Sequence, residues 1–139
     1  MRSERKLMTH RFGIDTSVLV RLATGVPHAL FQRSLNKLTA LVEKEGAQIV
    51  ASNHVIGESY IALQHHYGVD KLDARAALAG VLQSGLIEAE GGQSVLDALA
   101  RSRGCGLVDR LIALSYDGAG MTTLTLDKKM SKLPNARLI

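Results

Sequence analysis

Four acids stand where acids commonly do chemistry in this chain of 139 residues: Asp15, Glu58, Asp109 and Asp127. Asp15 follows the apolar run Phe12-Gly13-Ile14, and Asp127 follows Leu124-Thr125-Leu126. In a sheet of parallel strands, ligands bind outside the carboxyl ends of the strands, where loops converge and helix N-termini point at the site. Glu58 falls about one turn into a helical pattern that follows the strand pattern Ile49 to Ala51, and Asp109 lies in the first turn of the helix leading to the Asp127 strand. The four carboxylates are therefore expected to converge. Packing them together would force several of their pKa values upward unless a cation sat among them. Oxygen donors with few His or Cys residues suit Mg²⁺ or Mn²⁺ better than zinc. Such an ion lowers the pKa of water and stabilises the leaving oxygen in phosphodiester hydrolysis, so the predicted chemistry is metal-dependent phosphoryl hydrolysis. Taken singly, Asp15 and Asp109 also suit helix N-caps, worth ~1 kcal/mol each. Glu58 is expected beside Val55, Ile56 and Ile61, where a buried carboxylate would need a partner.

The elements that must position these acids are short. Strand patterns are expected at 12–14, 48–51, 86–90, 121–126 and 136–139. Between them, apolar residues recur at helical spacing: a short helix after Asp15, then helices from His28 to Lys44, through Val55, Ile56, Tyr60, Leu63 and Tyr67, from Asp70 toward Gly85, from Gln93 to Ala100 and from Leu107 to Tyr116. Ser52 or Asn53 and Asp70 read as N-caps, and Gly46 and Gly68 as stops. Strands alternating with helices argue for a three-layer α/β/α domain with a central, mostly parallel sheet. Nothing divides the chain, so one domain is expected over 12–139, preceded by a basic extension over 1–11 that carries Arg2, Arg5, Lys6 and Arg11.

Composition narrows the function classes. Hydrophobic residues are 46% and charged residues 22%, an ordinary globular mixture that excludes collagen, coiled coil and disorder. The longest uncharged stretches, Gly46 to Gly57 and Ala76 to Ile87, are too short to span a membrane, and no apolar stretch with a cleavage site follows the basic start. With one cysteine, Cys105, no internal disulfide can form, and the cytoplasm is expected. The net charge of +4 is uneven: residues 1–42 carry seven Lys/Arg against two acids, 43–97 three against eight, and 98–139 seven against three. Basic ends that fold together would offer a positive surface to a phosphate backbone.

The segments Phe-Gly-Ile-Asp-Thr-Ser-Val-Leu-Val (12–20), Glu58 in a helix after a strand, Val-Asp-Arg-Leu-Ile-Ala (108–113) and Leu-Thr-Leu-Asp-Lys-Lys (124–129) together resemble the PIN-domain ribonucleases, in particular the VapC-type toxins of toxin-antitoxin pairs. The likeness is carried by the ordered set, which spans almost the whole chain. The resemblance implies an α/β/α domain that holds Mg²⁺ or Mn²⁺ on Asp15, Glu58, Asp109 and Asp127 and cuts RNA. Thr16, Ser17 and Thr125 match the small hydroxyl positions that would orient those carboxylates. It also implies a homodimer and a cognate antitoxin covering the acidic cleft. Val108, where Ala is common, and Tyr116-Asp117-Gly118 depart from the pattern without touching an acid.

Other features carry less. Arg21, Arg110, Lys128 and Lys129 lie near the acids in sequence and are candidate phosphate contacts. His54 and Glu58, four apart on one helix face, read as a side-chain pair, His65-His66 as a helix end, and Cys105 as an unreactive thiol. Aromatic residues make up only 4%, too few for a stacking platform. Ser17 stands where a haloacid-dehalogenase-like phosphatase needs a second Asp, no Asp ends a central strand as in a receiver domain, and no Gly-Lys-Ser/Thr phosphate loop is present. The alternative reading is a catalytically idle PIN-like module that binds RNA or a protein partner.

Overall fold

The computed structural model describes residues 10–139. The expected basic extension falls, as far as Thr9, outside the described residues; Arg11, assigned to it above, begins the first strand. The order is β1 (Arg11–Gly13), α1 (Thr16–Thr24), α2 (His28–Glu45), β2 (Gln48–Ala51), α3 (Asn53–Tyr67), α4 (Lys71–Leu82), β3 (Glu88–Ala89), α5 (Gln93–Ala100), α6 (Leu107–Gly118), β4 (Thr123–Thr125), a 3₁₀ turn (Met130–Lys132) and β5 (Ala136–Leu138).

All pairings are parallel, as the alternation of strands and helices predicts, but they form two ladders instead of one central sheet. In the first, β1 pairs β2 with Phe12 opposite Ile49, and β2 pairs β3 with Ala51 opposite Ala89. In the second, β4 pairs β5 with Leu124 opposite Arg137.

β1 is shifted by one residue from its pattern, and β3 and β4 are shorter than theirs. β1 ends at Gly13, which leaves Ile14 and Asp15 to make the turn. β3 keeps two residues because its partner β2 stops at Ala51, although Ile87 before it is fully buried. β4 begins late because the Met121 amide donates to the Tyr116 carbonyl and so closes α6.

Side-chain caps start the helices where expected. Ser52 Oγ accepts from the Val55 amide at 3.2 Å and Asp70 Oδ1 from the Asp73 amide at 2.9 Å. α2 and α3 stop at Gly46 and Gly68, both left-handed, a conformation that glycine adopts without the Cβ penalty. α4 ends at Leu82, before the expected stop at Gly85, because the Ser84 hydroxyl takes the Val81 carbonyl at 2.6 Å.

The core gathers Leu19 from α1, Ile49 and Ala51 from β2, Ile56 and Leu63 from α3, Leu78 from α4, Val95 and Leu99 from α5, and Leu107 and Leu111 from α6. Among the described residues, one charged side chain is buried beside it. Arg75 of α4, 6% exposed, donates from Nη1 to the carbonyls of Ala98, Leu99 and Arg101 at 2.9, 3.2 and 2.8 Å, and its guanidinium lies 5.7 Å from the Tyr60 ring. These carbonyls end α5, where unpaired acceptors and the negative pole of the helix favour a cation. Arg75 thus fastens α5 to α4 and α3. Arg75→Met keeps the stem and frees the carbonyls. It is expected to lower stability by roughly 2–3 kcal/mol in urea unfolding with an unchanged slope, because hydrogen bonds to a charged group are lost at a buried site.

Candidate functional site

Asp15 sits two residues beyond β1 and is the N-cap of α1. Its Oδ1 accepts from the Ser17 hydroxyl at 2.6 Å and from the Val18 amide at 3.2 Å. Both bonds fall on the same oxygen, so Oδ2 has no protein donor among the described residues. Asp127 repeats this arrangement two residues beyond β4: its Oδ1 accepts from the Met130 amide at 2.9 Å, and its own amide donates to Thr125 Oγ1 at 3.0 Å. The cap and a ligand role are therefore compatible, because each needs a different oxygen.

Glu58 also spends one oxygen. Its Oε1 accepts from Thr16 Oγ1 at 3.2 Å and lies 3.1 Å from His54 Nε2, the expected side-chain pair. The Thr16 bond joins the start of α1 to α3 and sets Glu58 on the same side of the fold as Asp15. The expectation of a buried Glu58 is corrected: its side chain is 55% exposed. Val55, Ile56 and Ile61 do not share one helix face. Ile56, Ser59, Tyr60 and Leu63 turn inward, whereas His54, Glu58 and Ile61 turn out to solvent.

Asp109 is half-buried in the first turn of α6, where the helix dipole favours an acid. Its neighbour Val108 shares a groove of about 510 Å³ between α3 and α6 with Glu58 and His54. Sequence reading treated Asn53 only as a possible cap. Its Nδ2 donates to the Leu111 carbonyl at 3.1 Å and to Ser115 Oγ at 2.9 Å, pinning α3 to α6. A polar residue directly after the Ser52 cap is the only trace of this in the sequence.

The acids are thus presented at the ends of their elements without being drawn into one cage. Among the described residues, no three His, Cys, Asp or Glu side chains form a group that could hold a metal ion. The donor chemistry nevertheless fits Mg²⁺ or Mn²⁺. These ions take oxygen ligands, keep several waters and are often held by one or two carboxylates, and Asp15, Asp127 and Glu58 each retain an uncommitted oxygen.

The candidate phosphate contacts differ. Lys128 and Lys129 are exposed beside Asp127. Arg110 is turned to the backbone, with Nε to the Cys105 carbonyl at 3.3 Å and an Nη to the Arg103 carbonyl at 2.6 Å. Arg21 is half-buried, and its Nε is buried without a partner. Cys105 is buried, as expected of an unreactive thiol.

The family described as PIN domain matches residues 13–136. Among solved structures, the crystal structure of VapC20 from Mycobacterium tuberculosis, a Sarcin-Ricin loop cleaving toxin, is similar at 23% identity. The match covers 87% of this chain and 92% of that one, with a TM-score of 0.37. No curated protein matches.

The Ser17 hydroxyl, and then the Val18 amide, hold the Asp15 carboxyl below its ordinary value of 3.8, because both bonds favour the charged form. Its contribution to stability is thus present above 3.8 and is lost as pH falls through the lowered value. Ser17→Ala is expected to move the Asp15 midpoint up toward 3.8 in an NMR titration of the carboxyl carbon; an unmoved midpoint would remove the hydroxyl from its assigned role. Asp15→Asn keeps an accepting oxygen for the Val18 amide and is expected to stay within about 0.5 kcal/mol of the wild type, whereas Asp15→Ala loses the cap and costs about 1 kcal/mol in thermal or urea unfolding.

Proposed function

The chain belongs to the PIN domain family, and from that premise we propose that it is a Mg²⁺- or Mn²⁺-dependent endoribonuclease, the toxin of a toxin-antitoxin pair. The observation that carries this reading is the repeated arrangement at Asp15 and Asp127: an acid two residues past a strand, one oxygen fixed by the backbone amide three residues on and the other free. Asp15, Glu58, Asp109 and Asp127 would hold the ion. Bound there, it supplies positive charge for the phosphodiester in its transition state and a lowered pKa for water.

The chain's own residues prepare that chemistry. Ser17 donates to one oxygen of Asp15, Thr16 donates to one oxygen of Glu58 and Thr125 accepts from the amide of Asp127, so little reorganisation is left for the reaction step. Lys128, exposed beside Asp127, would meet an RNA phosphate, with Arg21 and Arg110 as further contacts if their present packing opens. Residues 12–139 form one domain in this reading, and β1 draws Arg11 into it from the basic extension expected over 1–11. The partners are RNA, a cognate antitoxin and a second copy of the chain, and the compartment is the cytoplasm. No helix among the described residues is long and apolar enough to cross a membrane.

One observation favours the second reading, an idle PIN-like module that binds RNA or a protein: among the described residues, no three His, Cys, Asp or Glu side chains are gathered into a metal group. Cleavage separates the two. Purified chain, free of any antitoxin, is incubated with structured RNA and Mn²⁺. The wild type is expected to cut, EDTA to abolish cutting, and Asp15→Asn to reduce it at least about 100-fold, the scale of losing a charge that acts in the transition state. An uncut RNA with confirmed folding and metal occupancy supports the idle module.

A further inference from the structure

The loop between α5 and α6, residues 101–106, is exposed except at Cys105, yet its backbone is held at three carbonyls. Arg75 of α4 donates to the Arg101 carbonyl at 2.8 Å, and Arg110 of α6 donates to the Cys105 and Arg103 carbonyls at 3.3 and 2.6 Å. Gly104 is left-handed, with φ +86°, and a Cβ there would stand 3.1 Å from an Nη of Arg110, so glycine suits both the turn and the approach of the guanidinium. Exposed connections are ordinarily the most mobile part of a domain, so a connection braced in this way holds its shape for what it presents.

It presents arginines. Arg101 and Arg103 are exposed, and neither guanidinium has a hydrogen-bond or ion-pair partner among the described residues. The acid at helical spacing from Arg101, Asp97, accepts from Gln93 Nε2 at 3.0 Å instead. Guanidiniums on a fixed backbone suit phosphate, because a planar fork of donors meets its oxygens two at a time and holding the backbone beforehand leaves less entropy to lose on binding. Asp109 lies in the first turn of α6, six residues after Arg103 and one before the bracing Arg110. The loop is therefore set beside one of the acids proposed to act on the phosphodiester, which favours an RNA strand over an acidic protein as its occupant.

Resting on the ribonuclease reading above, we infer that Arg101 and Arg103 form a phosphate clamp for the RNA strand passing Asp109, on a loop that Arg75 and Arg110 hold in shape. Arg110 then acts on RNA through the loop, as its brace. The clamp needs no metal ion, because its contacts are made by charge and hydrogen bonds to the RNA backbone alone.

Binding of the full chain to a fluorescein-labelled single-stranded RNA, followed by anisotropy in EDTA over a series of KCl concentrations, tests this without cleavage. Each phosphate contact on a single strand contributes about 0.7 to the slope of log affinity against log salt. Arg101→Gln and Arg103→Gln are each expected to flatten the slope by about 0.7 and the double variant by about 1.4, whereas Lys44→Gln on α2 leaves it unchanged. Arg110→Lys keeps the charge but lacks the planar fork that reaches both carbonyls, so it is expected to weaken binding as the double variant does. Full binding by Arg110→Lys, with circular dichroism showing every variant folded, overturns the bracing. An unchanged slope in the double variant overturns the clamp, as does equal flattening by Lys44→Gln. Polyglutamate binding lost in the double variant while RNA binding stays gives the loop to an acidic protein and overturns it too. A wild type that binds no RNA in EDTA overturns the clamp, while the cleavage assay above decides the nuclease reading on its own.

Discussion

A side-chain oxygen accepting from the amide three residues further on sets the direction of the chain at four turns of this protein. Asp15, Ser52, Asp70 and Asp127 all do this. Each bond satisfies one of the orphan donors at a helix start, and so fixes where the preceding strand or loop must stop. At two of the four turns the oxygen belongs to a carboxylate two residues past a strand, and there the cap also aims a charge. Stability and site geometry are coupled at those positions, because the residue that starts the helix is the one that would meet a cation.

α3 transmits this order across the fold. Its inner face, with Ile56, Tyr60 and Leu63, is built into the core, while its outer face carries Glu58 and His54 to solvent. Thr16 ties that outer face to the start of α1, and Asn53 ties the first turn to α6. Arg75 completes the frame from the far side by gathering the last carbonyls of α5 under α4, with Tyr60 of α3 beside its guanidinium. The acids thus stand on rigid elements whose mutual positions are held by hydrogen bonds as well as by apolar contact. This is what a site needs if its ligands are to be placed before the ligand arrives.

Much of this was legible before any coordinates. The helical periods, the caps at Ser52 and Asp70 and the stops at Gly46 and Gly68 depend on neighbours close in sequence, so the sequence displays them. Strand lengths were less legible: Glu90 loses its place in β3 because β2 ends at Ala51, a fact about a partner almost forty positions away. The exposure of Glu58 was missed for a related reason. Apolar residues on both sides of it suggested burial, but only the helical phase of Ile56 against Ile61 says which way the side chain turns. At the site, Asp15 and Asp127 were found by their place after apolar runs. Nothing local could reveal that each keeps one oxygen free, or that Arg110 is occupied by the carbonyls of its own loop.

The central claim is that Asp15 and Asp127 act on one cation. Calorimetric titration of Mn²⁺ into the wild type, Asp15→Asn, Asp127→Asn and the double variant tests it most directly. If both carboxylates serve one ion, either single change weakens binding almost as much as the two together, since groups that act as a unit are strongly non-additive. Binding that survives both substitutions unchanged, or losses that simply add, would contradict the account.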